Sequence, residues 1–400
     1  MTLMPVETAL AHIQAGVAPL PAETVPLAEC LGRVLRADLP ALLTQPPFDA
    51  SSMDGYALRA SDAQIVPARL QVIGEVPAGR IFEGRVEAGQ AVRIFTGAAL
   101  PSGADCVVIQ ENTAREGDAV IVRQAPRAGE NLRKAGGDFR RGDILLTAGQ
   151  RLGARHLLAA AAMNYAELPV ARRPRVAILA TGDELVPPGS EPSPGRIVSS
   201  IPPALAAMVK LAGGEPLLLG IARDRLDSLK EHIARAQGAD ILVTIGGASA
   251  GDYDLVREAL VARGMTVTFH KIAMRPGKPL MFGALGSQRV LGLPGNPVSA
   301  LVCVRVFLHP LIERYLGAAA SPMATLSAVL EGPLEANGER THYMRAMLRH
   351  DGSGYRARPV ANQDSSLIAT LAASDGLIIR APFAPAAKAG DRVDVFPFDF

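Results

Sequence analysis

The sequence predicts a multidomain α/β protein: a central doubly wound α/β domain, an inserted β module, a discontinuous helical linking domain and a C-terminal β domain. Three observations predict it. Between residues 175 and 317, largely apolar runs of strand length alternate with helix-patterned segments, as expected for a parallel sheet covered on both faces. Residues 48–143 and 318–400 instead break into short β-like runs separated by turn residues. At 400 residues the chain is long enough for several domains, each with a core of its own.

The elements follow in order. Val6, Ala9, Leu10 and Ile13 lie at helical spacing within residues 5–16, and residues 24–43 read as a second helical segment closed by the turn Gln45-Pro46-Pro47. The β module, residues 48–143, carries runs at 70–73, 90–95, 106–109 and 120–122. The chain then turns helical at 154–163, before a turn-rich stretch at 168–174. Residues 1–47 and 144–174 together are the linking domain. The α/β domain, 175–317, places strands at 176–180, 217–221, 241–245 and 290–293. Helices lie between them at 203–211, ended by Gly213-Gly214, at 226–236, begun by Asp224 as a possible N-cap, and at 253–262, ended by Gly264. Further strands are expected at 266–270 and 279–282, with a long last helix from Pro297. In the C-terminal domain, 318–400, runs at 325–330, 344–349, 355–358, 376–380 and 392–396 read as strands. Asp351-Gly352-Ser353-Gly354 marks a hairpin between the second and third of these.

Composition excludes several functions. Forty-one basic residues against thirty-nine acidic leave +2, and aromatics are 4% with no Trp, so neither a global field nor a stacking platform points to nucleic acid. The longest aliphatic run, 157–163, is far short of the ~18 residues of a membrane span. Cys30, Cys106 and Cys303 form no CxxC pair, and the first residues show no basic stretch before an apolar one, so a cytoplasmic protein is expected. No HxH or HExxH pattern suggests a His-ligated metal.

In an open α/β sheet, ligands bind beyond the carboxyl ends of the strands. Those positions carry Thr181-Gly182-Asp183-Glu184, Arg223-Asp224, the loop from Gly246 to Asp254, Lys271, the stretch from Met274 to Pro279, and Pro294-Gly295-Asn296-Pro297-Val298-Ser299. The loop from Gly246 to Gly251 has only small side chains, so its N–H groups can approach a phosphate; it matches neither GxGxxG nor a P-loop. Asp183, Glu184, Asp224, Asp252 and Asp254 converge from three strand ends, as a Mg²⁺ ion shared with substrate phosphates requires, although Asp224 fits a helix cap equally well. Lys271, Arg275 and Lys278 form the complementary cationic set. The opposed sets read as a metal-assisted phosphate site. The basic run 123–141 is most simply a solvated face, and Ser51–Tyr56 by itself is a turn.

Seven ordered blocks resemble one family. PPFDASSMDGYALR, RIFTGAALPSGAD, AGGD, TGDEL, IGGASAGDYD, MRPGKP and LPGNPVSA are similar, in order and spacing, to those of the molybdopterin molybdenumtransferases of molybdenum-cofactor biosynthesis, the MoeA family. The resemblance implies a central domain of molybdopterin-binding type in an elongated homodimer of four-domain subunits. It implies insertion of molybdenum from molybdate into adenylylated molybdopterin with release of AMP and a requirement for Mg²⁺. Upstream adenylyltransferase and downstream molybdoenzyme chaperones are the implied partners. Carried over by motif, Asp54, Thr96, Asp138, Glu184, Asp224, Asp252 and Lys271 are catalytic candidates, with Asp183, Glu184, Asp224 and Asp252 toward the metal. Thr181, Gly246, Gly247, Ser249, Arg275, Lys278, Pro294, Pro297, Ser299, Arg345 and Ser366 are implied to bind phosphates or molybdate. In the family the β module faces the α/β domain of the other subunit, which implies a composite site. Departures are Arg275, where many relatives have Lys, and Ala248 with Ala250, where Val is common. Two alternatives are the adenylyltransferase of the preceding step, whose core resembles 175–317 alone, and a non-catalytic scaffold. The flanking blocks favour molybdenum insertion.

Overall fold

The structure, a computed structural model, describes residues 3–247, 255–319 and 325–398. At its centre six strands run in the order Glu215–Ala222, Arg175–Thr181, Ile241–Ile245, Gln288–Leu293, Met281–Leu285 and Thr266–Phe269. The first four are parallel, whereas the last two pair antiparallel as an edge. The reason for the unbroken apolar runs is visible in Arg175–Thr181. Val176 and Ile178 enter a core with Leu205 and Val209 of the Ile201–Ala212 helix, while Ala177 and Leu179 enter the opposite core with Leu229, Ile233 and Leu260. Alternate residues thus serve two layers of helices.

The last helix of this domain is continuous from Pro297 but changes pitch. An α segment, Pro297–Cys303, gives way to a π turn, Val304–Leu308, and returns to α-helix at His309–Leu316, ending on Gly317 at φ 64°. All five residues of the π turn are buried. The first helix, Val6–Gln14, inserts Val6, Ala9 and Ile13 into the same core.

The helix expected at 24–43 does not form. Ala22–Pro26 is a strand paired antiparallel with Glu167–Ala171, Val25 opposite Leu168, and only a 3-10 turn, Leu27–Glu29, follows. Pro26 and Pro40 lack the N–H groups a helix interior needs, and Gly32 sits at φ 75°. The partner strand occupies part of the stretch that reads as turns at 168–174. The helix expected at 154–163 is present as Ala154–Ala162.

The inserted β sheet has the order Cys106–Ile109, Gly55–Leu58, Gln90–Ile94, Ala68–Val76, Ala119–Val122, Thr113–Glu116. The C-terminal sheet closes on itself. Thr341–His350 pairs with both Tyr355–Pro359 and Gly376–Arg380, while Leu326–Leu330 and Arg392–Pro397 complete the ring. Ala346, Ile378 and Val395 fill its interior, and Tyr343, Leu377 and Phe396 on the outer face join the α/β core. Met274–Arg275, leaving the α/β domain, adds a short parallel strand to this barrel. Among the described residues the three cysteines are buried and free, and no helix is long and apolar enough to cross a membrane.

Candidate active site

The parallel strands end at Thr181, Ala222, Ile245 and Leu293, and a cleft of about 470 Å³ opens beyond them. Its floor is backbone. Gly246 N–H donates to the Leu293 carbonyl at 3.1 Å, Gly182 N–H to the Ala222 carbonyl at 3.2 Å, and the buried Thr181 hydroxyl to the Ile245 carbonyl at 3.3 Å. Gly246 and Gly247 stand at φ 91° and 68°. A Cβ on Gly246 would lie 2.7 Å from the Thr181 carbonyl oxygen, and one on Gly247 would lie 2.4 Å from Val256 Cγ2. Only glycine fits, so a ligand meets main chain here.

On one wall Asp183, Glu184 and Asp224 come together, and Glu184 and Asp224 line the cleft. Asp224 N–H points to Asp183 Oδ1 at 3.4 Å. The surrounding protein removes enough water to raise the Asp224 carboxyl above the ordinary carboxylate range, and the charges of Asp183 and Glu184 add to the rise. Arg223 Nη1 donates to the Asp183 carbonyl at 3.1 Å, and Arg196 donates to the same oxygen. Asp224 does not cap the following helix: that helix, Leu226–Ala234, begins after Arg225 with no side-chain cap.

This donor set suits a hard cation, because a carboxyl raised by burial, with like charges adding to the rise, is relieved by positive charge. Among the described residues, however, no three His, Cys, Asp or Glu side chains form a metal-holding group. Asp252, the fourth carboxylate of the expected set, lies with Ser249 and Asp254 outside the described residues. One or two carboxylates completed by substrate phosphates is the usual Mg²⁺ arrangement.

The opposite wall is made of Pro279, Pro294, Gly295 and Asn296. Lys278 adjoins Pro279, and the loop is held by Ile272 N–H and Leu280 N–H on the Lys278 carbonyl at 3.0 and 3.1 Å. A Cβ on Gly277, at φ 104°, would lie 2.6 Å from Cys303 Sγ, which ties the loop to the last helix. Neither Lys271, Arg275 nor Lys278 is itself in the lining. Arg275 leaves the cleft altogether: Met274 is fully buried, and Arg275 stands opposite His342 in the barrel ladder. Pro297 starts the last helix and Ser299 is buried in its first turn.

Arg345 serves a different role from that expected. It is 1% exposed, and its Nη atoms donate to the carbonyls of Leu367, Asn362 and Asp364 at 3.0, 3.0 and 2.8 Å and to the Thr370 hydroxyl. These bonds leave no Nη hydrogen for an oxyanion; Arg345 instead organises residues 362–370. Ser366 turns back, its N–H and hydroxyl both donating to Asp364 Oδ1 at 2.8 Å. Its neighbour Ser365 reaches the cleft wall. Asn296 Nδ2 donates to Ser365 Oγ at 3.0 Å, and Val298 N–H to the Ser365 carbonyl at 3.2 Å. Ser365 was not singled out by the sequence, and Asn296 only as part of the Pro294–Ser299 stretch, although Asn before a helix-starting Pro is a position where a side chain faces the helix end.

In the β module, Asp54 and Thr96 meet. Thr96 N–H and Oγ1–H both donate to Asp54 Oδ1, at 2.8 and 2.7 Å, and hold its carboxyl below the ordinary range. Asp138 makes no hydrogen bond to this pair: its N–H donates to the Gln45 carbonyl at 3.1 Å, and its exposed side chain makes no hydrogen bond among the described residues. None of these three lines the cleft of its own chain.

Comparison with known proteins agrees across the chain. A family model described as the MoeA N-terminal region (domain I and II) matches residues 4–164, one described as a probable molybdopterin binding domain matches 177–314, and the MoeA C-terminal region (domain IV) matches 327–398. A molybdopterin molybdenumtransferase of Nostoc sp. is 41% identical over 74% of this chain and 70% of its own. Molybdopterin molybdenumtransferase 2 of Mycobacterium tuberculosis is 37% identical over 89% of this chain and 90% of its own. The crystal structure of a molybdopterin biosynthesis MoeA protein from Pyrococcus horikosii superposes with a TM-score of 0.86 at 32% identity, covering 100% of both chains. With matches over all its regions, the chain belongs to the MoeA family of molybdopterin molybdenumtransferases, transferases of molybdenum-cofactor biosynthesis.

Proposed function

We propose that the chain inserts molybdenum from molybdate into adenylylated molybdopterin and releases AMP, with Mg²⁺ as the required ion. The observation that carries this reading is the cleft itself, where a glycine floor and a wall carrying Glu184 and the raised Asp224 carboxyl meet at the ends of parallel strands. The Gly246–Gly247 backbone cradles the phosphoanhydride, because nothing but main chain stands between a ligand and the strand ends. Mg²⁺ would be held by Glu184 and Asp224, with Asp183 and Asp252 carried over by motif, and would supply charge neutralisation at the phosphates. Lys271 and Lys278 attract molybdate to the rim as fixed cations. Thr181 and the Asn296–Ser365 pair keep the two walls in place.

The working unit in this reading is a homodimer in the cytoplasm. Asp54 of the partner subunit, held ionised by its threonine, completes each cleft, which explains why the pair lines no cleft of its own chain. An adenylyltransferase supplies the substrate, and molybdoenzyme chaperones take the product. Incubating the purified protein with adenylylated molybdopterin, Mg²⁺ and molybdate tests the reading. AMP should appear in the complete mixture, and its absence there would refute the proposal.

A further inference from the structure

Where the short strand from the α/β domain joins the barrel, one end of the barrel is crowded with positive charge. In the parallel ladder Arg275 lies opposite His342, and in the antiparallel ladder His342 lies opposite Arg380. Residues paired in this way project to the same face of a sheet. Two residues along from His342 and Arg380, Met344 and Ile378 pack in the barrel interior, so that face is the interior at its mouth. Arg340 approaches from the connecting loop and adds its charge at His342.

Among the described residues no carboxylate forms an ion pair with these charges, the nearby loop residues Glu335 and Glu339 included. Among the described residues, Arg275 and Arg340 make no side-chain hydrogen bond or ion pair, and no carboxylate pairs with Arg380. Arg380 is 8% exposed; its Nη2 donates to the carbonyls of Glu335 and Ala384 at 3.3 and 3.5 Å and to that of Pro385. Its Nε–H is buried and has no acceptor. The surrounding loops are fixed by Asn337, whose Nδ2 donates to the carbonyls of Arg340, Arg380 and Ala381 at 2.9, 3.1 and 2.7 Å. Burial together with Arg275, Arg340 and Arg380 pushes His342 down to about 4, so its imidazole is neutral at neutral pH and one ring nitrogen can donate. Like charges abreast in a sheet repel, and a buried guanidinium N–H without a partner is costly.

One ligand chemistry answers both. A small oxyanion accepts from the Arg380 Nε–H and the His342 ring, and its charge offsets Arg275 and Arg340; barrel mouths are common places for such sites. We propose that the mouth of the C-terminal barrel is a second oxyanion site, taking a tetrahedral dianion of the phosphate, sulfate or molybdate class on Arg275, Arg340, His342 and Arg380, separate from the strand-end cleft. It does not depend on the reaction assigned to that cleft.

The test is the His342 ring signal, followed by NMR at about pH 7.5 in the full-length protein with and without saturating sodium molybdate, sodium phosphate or sodium sulfate, where molybdate is monomeric and all three salts supply dianions. A dianion bound against the ring changes its surroundings, so at least one of the three should shift the His342 ring signals saturably. Arg340→Ala should weaken that anion's binding about tenfold, Arg340→Gln should do the same with the loop packing kept, and Lys278→Ala should leave the shift in place. A response to molybdate alone assigns the site to the metal oxyanion; equal responses assign it to oxyanions in general. Unmoved ring signals with all three anions overturn the proposal, as does a shift that survives both Arg340 substitutions.

Discussion

Gly247 and Asp224 show how single residues set what the cleft can do. Gly247→Ala should destabilise the fold by about 1–3 kcal/mol in thermal melting, since its Cβ would meet Val256 at 2.4 Å on a backbone at φ 68°. Asp224→Asn, at a carboxyl already raised by burial and by its acidic neighbours, should leave the melting temperature unchanged or higher while AMP release falls about 10²- to 10⁴-fold. Equal losses of stability and activity would contradict a functional role for that charge. At this scale the glycines and carboxylates were legible because strand ends in an open sheet are where ligands bind. The Asp54–Thr96 pair was legible only through the family resemblance: forty-two positions separate the two, and Asp54 by itself reads as part of a turn. Ser365 was missed because adjacent serines in Gln363-Asp364-Ser365-Ser366 look alike, yet one folds back on Asp364 and the other reaches Asn296.

Elements show where local pattern loses to pairing. Residues 22–26 take strand geometry because Glu167–Ala171, about 145 residues later, offers a ladder and a place to bury Val25 against Leu168. No short-range signal carries that. The central strands were legible because burial on both faces leaves a continuous apolar run, and the loop of residues 362–370 was not, because one buried side chain holds it. Arg345→Met should therefore loosen that loop and cost about 2 kcal/mol or more, since carbonyls lose their donors; protease sensitivity confined to 362–370 would show it. The last helix offers a pH prediction. Burial would raise the Glu313 carboxyl, but the His309 hydrogen bond and the Arg151 charge outweigh it and hold the group below its ordinary value. A carboxyl depressed in the folded state stabilises above its unfolded pKa, and that contribution is lost as pH falls through the folded value. Stability should thus fall below the ordinary carboxylate range, and Arg151→Ala should flatten that fall; an unchanged acid limb in the variant would contradict the assignment.

On the scale of the whole molecule the candidate groups lie in separate parts: a cleft in the α/β domain, an aspartate–threonine pair in the β module and a cationic barrel mouth. In a composite dimer, Asp54→Ala and Asp224→Ala subunits, each inactive alone, should recover activity on mixing, because one cleft of the heterodimer receives both intact halves. Subunit exchange shown by mass without recovered activity would count against it. The layered domain was legible from strand and helix periodicity within 175–317, whereas the way the barrel borrows Met274–Arg275 from it was not, since two residues carry no periodicity. The central claim is that one cleft couples molybdate to the release of AMP. Its most direct measurement follows AMP and protein-bound molybdenum–dithiolene together in a single turnover of adenylylated molybdopterin as molybdate is titrated with Mg²⁺ present. Both products should rise together in equal amounts and vanish together in Asp224→Asn; AMP released at full rate without molybdate, or molybdenum incorporated without AMP, would contradict it.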